Sequence, residues 1–393
     1  MKKTCALFVL SIQLISVSVP ALAAPAPATR VETRVNELNN RFNSLEATWG
    51  RFQLGGNVFL EAKTALDPDS DELQTFGFGQ ELGLFLDARI DQHFSFSLKM
   101  TQDGGWGLKQ TDYSGAGPLS APPQVDEVFL KMEYPQTLNY LGRFRYSFGP
   151  FGLVSDFFTE PAEGIVLQRS FKDYHAVGLF SRYYTQTSAE TGAIELVDNY
   201  FAARLGWSNR SSVVGINIVP DGLSGQKLFG ADYSTTFRNG RFAAEVGWYS
   251  FHNNDYPEEE TGWSPGILAS YSRQIAKSTY FQVKGGYLSQ DFKPTHSSLY
   301  HAPDDNREWF VINSKGLEFT LQNPLPYYGL VMENRLLALQ RVNDADSEGT
   351  IYRLRSAVVK NISPVNQLQL GVDLTHSQKV TENDLFLSWN LQF

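Results

Sequence analysis

Thiols are almost missing from this chain. Cys5 is the only cysteine in 393 residues, which excludes a disulfide scaffold and any thiolate metal site. Long apolar runs are missing too. Beyond residue 23 no stretch reaches the eighteen or so uncharged apolar residues of a membrane-spanning helix. Excess positive charge is absent, since the formal net charge is −9, and nucleic acid is a poor partner for an acidic surface. The six histidines (His93, His175, His252, His296, His301 and His376) have no metal-ligand spacing on a common strand face. No G-x-S-x-G nucleophile motif occurs. These gaps leave no catalytic residue, no metal ligand and no cofactor site to assign.

Residues 1–23 read as an export leader, with Lys2 and Lys3, an apolar run from Cys5 to Pro20, and Ala21-Leu22-Ala23 ahead of Ala24. Cys5 lies far ahead of that junction, which argues against a lipid-modified N-terminus. Removing the leader leaves residues 24–393 without cysteine and takes the charge from −9 to −11. Next comes an Ala/Pro-rich stretch, and then Val31, Val35, Leu38, Phe42, Leu45 and Trp49 recur at alternating steps of four and three. Residues 24–50 therefore read as a linker and a short coiled-coil-type helix. Three readings stand: a single amphipathic helix against the end or in the lumen of the downstream domain, self-association into a short coil, with a trimer expected, or a disordered segment.

What the chain does have is aromatics, with 28 Phe, 18 Tyr and 7 Trp, and a period of two. From Arg51 onward, alternating stretches of about ten residues are joined by connections that are tight and long in turn. Tight ones fall at Asp91-Gln92, Pro135-Gln136-Thr137, Phe171–Asp173, Asn209–Ser212, Arg238–Gly240, Ile275–Ser278, Asn323–Tyr328 and Asn361–Asn366. In Glu81–Asp91, Leu82, Leu84, Leu86, Ala88 and Ile90 share one face, while Asp87, Arg89 and Asp91 share the other. Leu385, Leu387, Trp389, Leu391 and Phe393 repeat the apolar face to the end of the sequence.

This terminal pattern resembles the last strand of bacterial outer-membrane β-barrels, which ends in Phe. The resemblance implies that Phe393, Leu391 and Trp389 act as a signal for the barrel-assembly machinery. The fold expected is all-β: a transmembrane antiparallel barrel of about 16–18 strands over residues 51–393, preceded by the helix. The uncertain strand is Gly164–Ser170. Leu138–Asp156, LNYLGRFRYSFGPFGLVSD, further resembles an element of the phosphate-selective porin family and related coiled-coil-headed porins. Loops with repeated lysines are not evident, so general porin character is implied without phosphate specificity.

Arg143, Arg145, Arg182, Arg204, Arg353 and Arg355 are expected on the inner face. Tyr140, Gly142, Phe144, Tyr146 and Phe148 are expected outside, and Arg169 is a further lining candidate. Such arginines would guide anions, or pair with inner acids such as Asp87, Glu127 and Glu133 into a neutral lining. Gly149–Gly164 is expected to fold inward as a constriction, with Asp156, Glu160 and Glu163 facing Arg143 and Arg145, or to pack at a subunit interface. The acidic loops Asp67–Glu72, Glu258–Glu260 and Asn343–Glu348 read as solvated surface that bridges cations to lipopolysaccharide. Outer-membrane lipids and a homotrimer are the remaining expected partners. The function implied is a passive channel for small hydrophilic solutes. A structural anchor or a barrel enzyme are the other readings.

The leader assignment has a direct check. The exported protein should have an intact mass beginning at Ala24 and should not react with a thiol probe; a labelled mature chain overturns the assignment.

Overall fold

A computed structural model describes residues 51–65, 76–106, 122–157, 161–187, 194–221, 226–251, 262–276, 278–289, 292, 314–326, 328–342, 350–377 and 381–393. The leader and the heptad segment lie outside these residues, as do Glu160 and the acidic loop runs. Among the described residues there is no helix.

The strands are β1 (Phe52–Ala65), β2 (Phe76–Arg89), β3 (Phe94–Trp106), β4 (Gln124–Tyr134) and β5 (Thr137–Phe144). A short pair comes next, β6 (Ser147–Phe148) and β7 (Ser155–Asp156), and then β8 (Ala162–Phe171), β9 (Tyr174–Thr187) and β10 (Ile194–Ser208). The wall continues with β11 (Ser212–Asp221), β12 (Gln226–Phe237), β13 (Gly240–Phe251), β14 (Ser264–Gln274) and β15 (Tyr280–Leu288). It ends with β16 (Ser314–Pro324), β17 (Leu330–Arg341), β18 (Thr350–Ser363), β19 (Asn366–His376) and β20 (Thr381–Gln392). All but β6 and β7 join one 18-stranded sheet, each pairing with its neighbours in the chain, and β5 pairs directly with β8. The weak segment is thus a full strand, β8.

The sheet closes on itself. β20 pairs antiparallel with β1 from Asn57↔Gln392 to Ala65↔Asp384. Beyond the last pair Gly56 and Phe393 exchange both backbone hydrogen bonds, each at 2.9 Å. Closure leaves no edge strand with orphan donors and acceptors.

Tight turns alternate with long connections, so the barrel has a short-turn end and a long-loop end. Local chemistry sets the turns. Asp91 Oδ1 accepts from the N–H of His93 at 2.7 Å and of Phe94 at 2.8 Å. The first of these bonds chiefly holds the Asp91 carboxyl below its ordinary pKa, because it favours the ionised form. Asn209 Oδ1 accepts from Ser211 and Ser212 N–H in the same way, at 2.9 and 2.7 Å. Arg238 and Asn239 both have positive φ, 46° and 63°, between β12 and β13. That two-residue geometry matches the right-handed twist of the flanking strands.

Register assigns every strand two faces. On the outer one stand exposed Leu84, Leu141, Ile216, Leu317, Leu336 and Leu370. Toward the short-turn end that face ends in exposed aromatics, among them Tyr134 at 43%, Phe171 at 60%, Phe237 at 63% and Phe393 at 52%. So much exposed apolar surface is foreign to a water-soluble exterior.

Candidate functional site

Residues 145–157, between β5 and β8, turn into the barrel. Their short hairpin pairs Ser147 with Asp156 and Phe148 with Ser155. Gly149 and Gly152, with φ of 77° and 65°, make the backbone reversal that a residue with a Cβ would strain. Phe148, Leu153 and Phe157 are fully buried and form one apolar cluster with Val166, Leu179, Tyr200, Leu228 and Leu268 from five strands of the wall. A single segment reaches all of these only from inside a closed sheet. Burial in the same cluster pushes the Tyr146 phenol up to about 12, so it remains a neutral donor, with Gln168 Oε1 at 3.5 Å.

Glu245 on β13 anchors the tip of this segment. Its carboxylate accepts the N–H of Phe151 at 2.9 Å and of Leu153 at 3.0 Å. A Cβ at Gly149 would come within 2.6 Å of the same carboxylate. The wall beneath is bare backbone: Gly230, Gly247 and Gly266 stand side by side on β12, β13 and β14. A Cβ at Gly230 would collide with Val154, and one at Gly266 would meet Phe292 at 2.8 Å. Gly230 and Gly247 lie under Val154 and Leu153 and form the floor on which the segment docks, while Gly266 makes room for Phe292. On β15, the strand beside β14, Lys284 sits 5.9 Å from the Phe151 ring, a cation–π contact.

The inward segment reverses the expected faces of its neighbours. Tyr140, Gly142 and Phe144 face the lumen, not the outside: Phe144 is 1% exposed, inside the apolar cluster, with Tyr140 packed against it. Arg143 therefore takes the outer face with Leu141. Its partner there is Glu163, at 2.7 Å, and Glu163 is in register with Arg182. Arg169 shares that outer face of β8 with Ile165 and Leu167. Arg143, Arg169, Arg182 and Glu163 are accordingly corrected from lumenal to outer-wall positions. The cause is the inward segment itself, which makes the inner wall apolar, so polarity no longer separates the two faces. Arg145 does reach lumenal acids, with Asp126 at 2.5 Å and Glu127 at 3.7 Å. A register shift in β4 turns Asp126 beside Glu127, toward Lys99 at 2.9 Å. Asp156 lies in the β6–β7 hairpin.

Elsewhere the inner wall is a set of ion pairs. Arg204 holds Asp232 at 2.7 Å, and buried Asn217 donates to the other oxygen of that carboxylate at 3.0 Å. Arg335 grips Glu318 with two donors, at 2.9 and 3.2 Å, and Arg353 grips Asp373 likewise, at 2.9 and 2.7 Å. Planar two-donor pairing is what the guanidinium offers over an ammonium. Arg355 differs. Its guanidinium lies 4.3 Å from the Phe386 ring and has no ion pair with an acid among the described residues. Phe386, the one apolar residue out of pattern in the final strand, is its platform. Sequence reasoning did not single out Glu245, Asp232, Glu318, Arg335, Asp373 or Lys284. Each was readable as a charged residue opposite an apolar face, but nothing in the chain told which charges would pair.

No protein-family model matches the sequence, and no curated protein matches it. Solved structures do. Pseudomonas aeruginosa OccK3 (OpdO) superposes with a TM-score of 0.60 at 9% identity, over 90% of this chain and 98% of that one. Pseudomonas aeruginosa OccK9 (OpdG) does so with a TM-score of 0.58 at 14% identity, covering 87% and 98%. A BenF-like porin from Pseudomonas fluorescens Pf-5 reaches 0.55, also at 14% identity and with the same coverage. At such identities the likeness is one of fold: a closed barrel of this construction.

The anchoring role of Glu245 predicts a local effect. Leaving a buried donor unsatisfied costs about 1–3 kcal/mol, so losing the anchor should speed exchange at the Phe151 and Leu153 amides by roughly ten- to a hundredfold. Glu245→Gln, which keeps one acceptor, should fall between. Hydrogen-exchange mass spectrometry on folded Glu245→Ala barrel provides the check; unchanged exchange at residues 151–153 would rule out the anchor.

Proposed function

We propose that this chain is an outer-membrane porin, a water-filled channel for passive diffusion of small hydrophilic solutes or ions, and not an enzyme. The observation that carries the reading is the sorting of side chains between the two faces of a closed sheet. Outside, exposed Leu, Ile and Phe surround the barrel and end in aromatics at the short-turn rim. Inside stand the ion pairs of Arg145, Arg204, Arg335 and Arg353. That arrangement suits hydrocarbon without and water within, and a barrel of this strand number encloses an aqueous lumen. The leader, the terminal Phe393 pattern and the fold shared with a BenF-like porin support the same reading. Phosphate selectivity has no support beyond the one resembling stretch.

On this reading the inward segment narrows the lumen, and solutes pass between Phe151 and the charged wall of β15–β20. The arginine lining is mostly neutralised by its own acids, which favours a mixed-charge path over a continuous cationic ladder. Arg204, Arg353 and Arg355 remain lining candidates, and of the three Arg355 alone has no ion pair among the described residues. Export, insertion by the assembly machinery at Phe393, Leu391 and Trp389, and a trimer held partly by the heptad segment complete the proposal.

Planar-bilayer recording tests it. Purified protein should open stable ohmic steps; a folded barrel that passes no current is not a porin. In a tenfold salt gradient, Arg355→Glu should move the reversal potential clearly toward cations, because fixed charge in a poorly screened lumen weighs heavily. Arg143→Glu, on the outer wall, should leave it nearly unchanged. Equal shifts in the two variants would mean that the walls are misassigned.

A further inference from the structure

Charge is sorted between the walls as well as apolarity. On β5, β8 and β9 the outer wall carries one acid with a described side chain, Glu163, although the chain as a whole is acidic. The outer wall carries cations at its rims instead. At the long-loop end these are Arg143 and Arg182 on β5 and β9, Lys227 on β12 and Lys315 on β16. The first two are concentrated. Arg143 pairs across the sheet with Glu163, and Glu163 with Arg182, so the two arginines flank one carboxylate on adjacent strands. With about 4.8 Å between strands, their backbones stand roughly 10 Å apart.

The single acid is shared unequally. Arg143 binds Glu163 through Nη1 at 2.7 Å and spends its Nε on the Asp126 carbonyl at 3.0 Å. Arg182 is exposed and has no ion pair among the described residues. The patch therefore retains net positive charge and unused guanidinium donors. Directly below it, on the same strands and face, stand Leu141, Ile165, Leu167 and Phe180, exposed at 46, 38, 57 and 45%. A guanidinium pair above an apolar strip is complementary to one kind of molecule: an anionic headgroup at the water boundary with acyl chains beneath.

We propose that the outer face of β5, β8 and β9 is a binding site for a phosphate-bearing lipid of the surrounding leaflet. Arg182 and the free edge of Arg143 take the headgroup phosphate in planar two-donor fashion, and Leu141, Ile165, Leu167 and Phe180 hold the chains. Glu163 keeps the two arginines apart and extended, so they do not fold back onto the wall. The site rests on the reading that the barrel spans a membrane. It explains why arginine occupies positions where alternation alone calls for an apolar side chain.

Native mass spectrometry of the full-length barrel released from nanodiscs tests it. The discs would contain phosphatidylcholine with a small fraction of bisphosphorylated diglucosamine acyl lipid, or of the same lipid dephosphorylated. Wild type should retain the phosphorylated glycolipid at least tenfold more than the dephosphorylated one, and Arg143→Gln/Arg182→Gln should lose most of that preference. Arg355→Gln, in the lumen, should keep it. Millimolar inorganic phosphate should not displace the lipid; full displacement would make the ligand a free anion and overturn the proposal. Retention unaffected by the double substitution, or independent of the phosphates, overturns it too. So does a multimer that the double substitution splits without changing lipid retention, because the patch would then face another chain. Wild-type barrel that does not enter the discs refutes the membrane reading itself, a result distinct from all of these.

Discussion

A strand in an apolar setting has nowhere to place its backbone donors and acceptors except on another strand, and this demand governs the whole architecture. It forbids an open edge, so β20 must return to β1. The last two bonds of that closure, between Gly56 and Phe393, use the final residue of the sequence. The terminal aromatic is thus a backbone partner at the seam as well as an outer-wall ring. Two glycines at the start of β1 permit the approach. A Cβ at Gly56 would come within 2.7 Å of the Phe393 ring, and one at Gly55 within the same distance of its carbonyl oxygen.

How far the sequence could be read depended on what each strand had on its inner side. β2, β3, β19 and β20 have no segment packed on their inner side among the described residues, so their inner residues are largely polar, their outer ones apolar, and alternation identifies both walls. The final strand even flags its exception, since Phe386 breaks the pattern because Arg355 lies on it. β5, β8 and β9 face the inward segment, where Phe148, Leu153 and Phe157 need an apolar bed. Tyr140, Phe144, Val166 and Leu179 supply it, and hydropathy on the two faces becomes equal. The charges of Arg143, Arg169, Arg182 and Glu163 were then the visible asymmetry, and reading charge as lumenal turned the strands inside out. The aromatic residues of 145–157 were legible as too apolar for a solvated loop. Their docking floor was not, because single glycines on adjacent strands acquire meaning only through register.

The paired arginines change the electrostatic character of the lumen. Unpaired, Arg204, Arg335 and Arg353 would set up a continuous positive field along the wall. Each instead faces a carboxylate at hydrogen-bond distance from the neighbouring or next strand. Such pairs present alternating dipoles, which on the channel reading discriminate weakly by sign. On the channel reading, fixed discrimination then falls to cations without an acid among the described residues, Arg355 above all. A net charge of −9 for the chain is a poor guide to that local sign.

The same logic of pairing explains why one buried acid can hold the inward segment. Glu245 is 1% exposed, and Asp232, its neighbour in register, is taken up by Arg204 and Asn217. No described cation bonds to Glu245, so its carboxylate turns to the backbone N–H groups of Phe151 and Leu153. Neutral donors on a turn satisfy a buried carboxyl only if the turn is held close, and closeness is what Gly230 permits beneath Val154. A side chain at Gly230 would press on Val154 and lift the segment off the wall, leaving the carboxyl buried without partners, a costly state for such a group. Floor and anchor therefore act together, Gly230 on β12 and Glu245 on the adjacent β13.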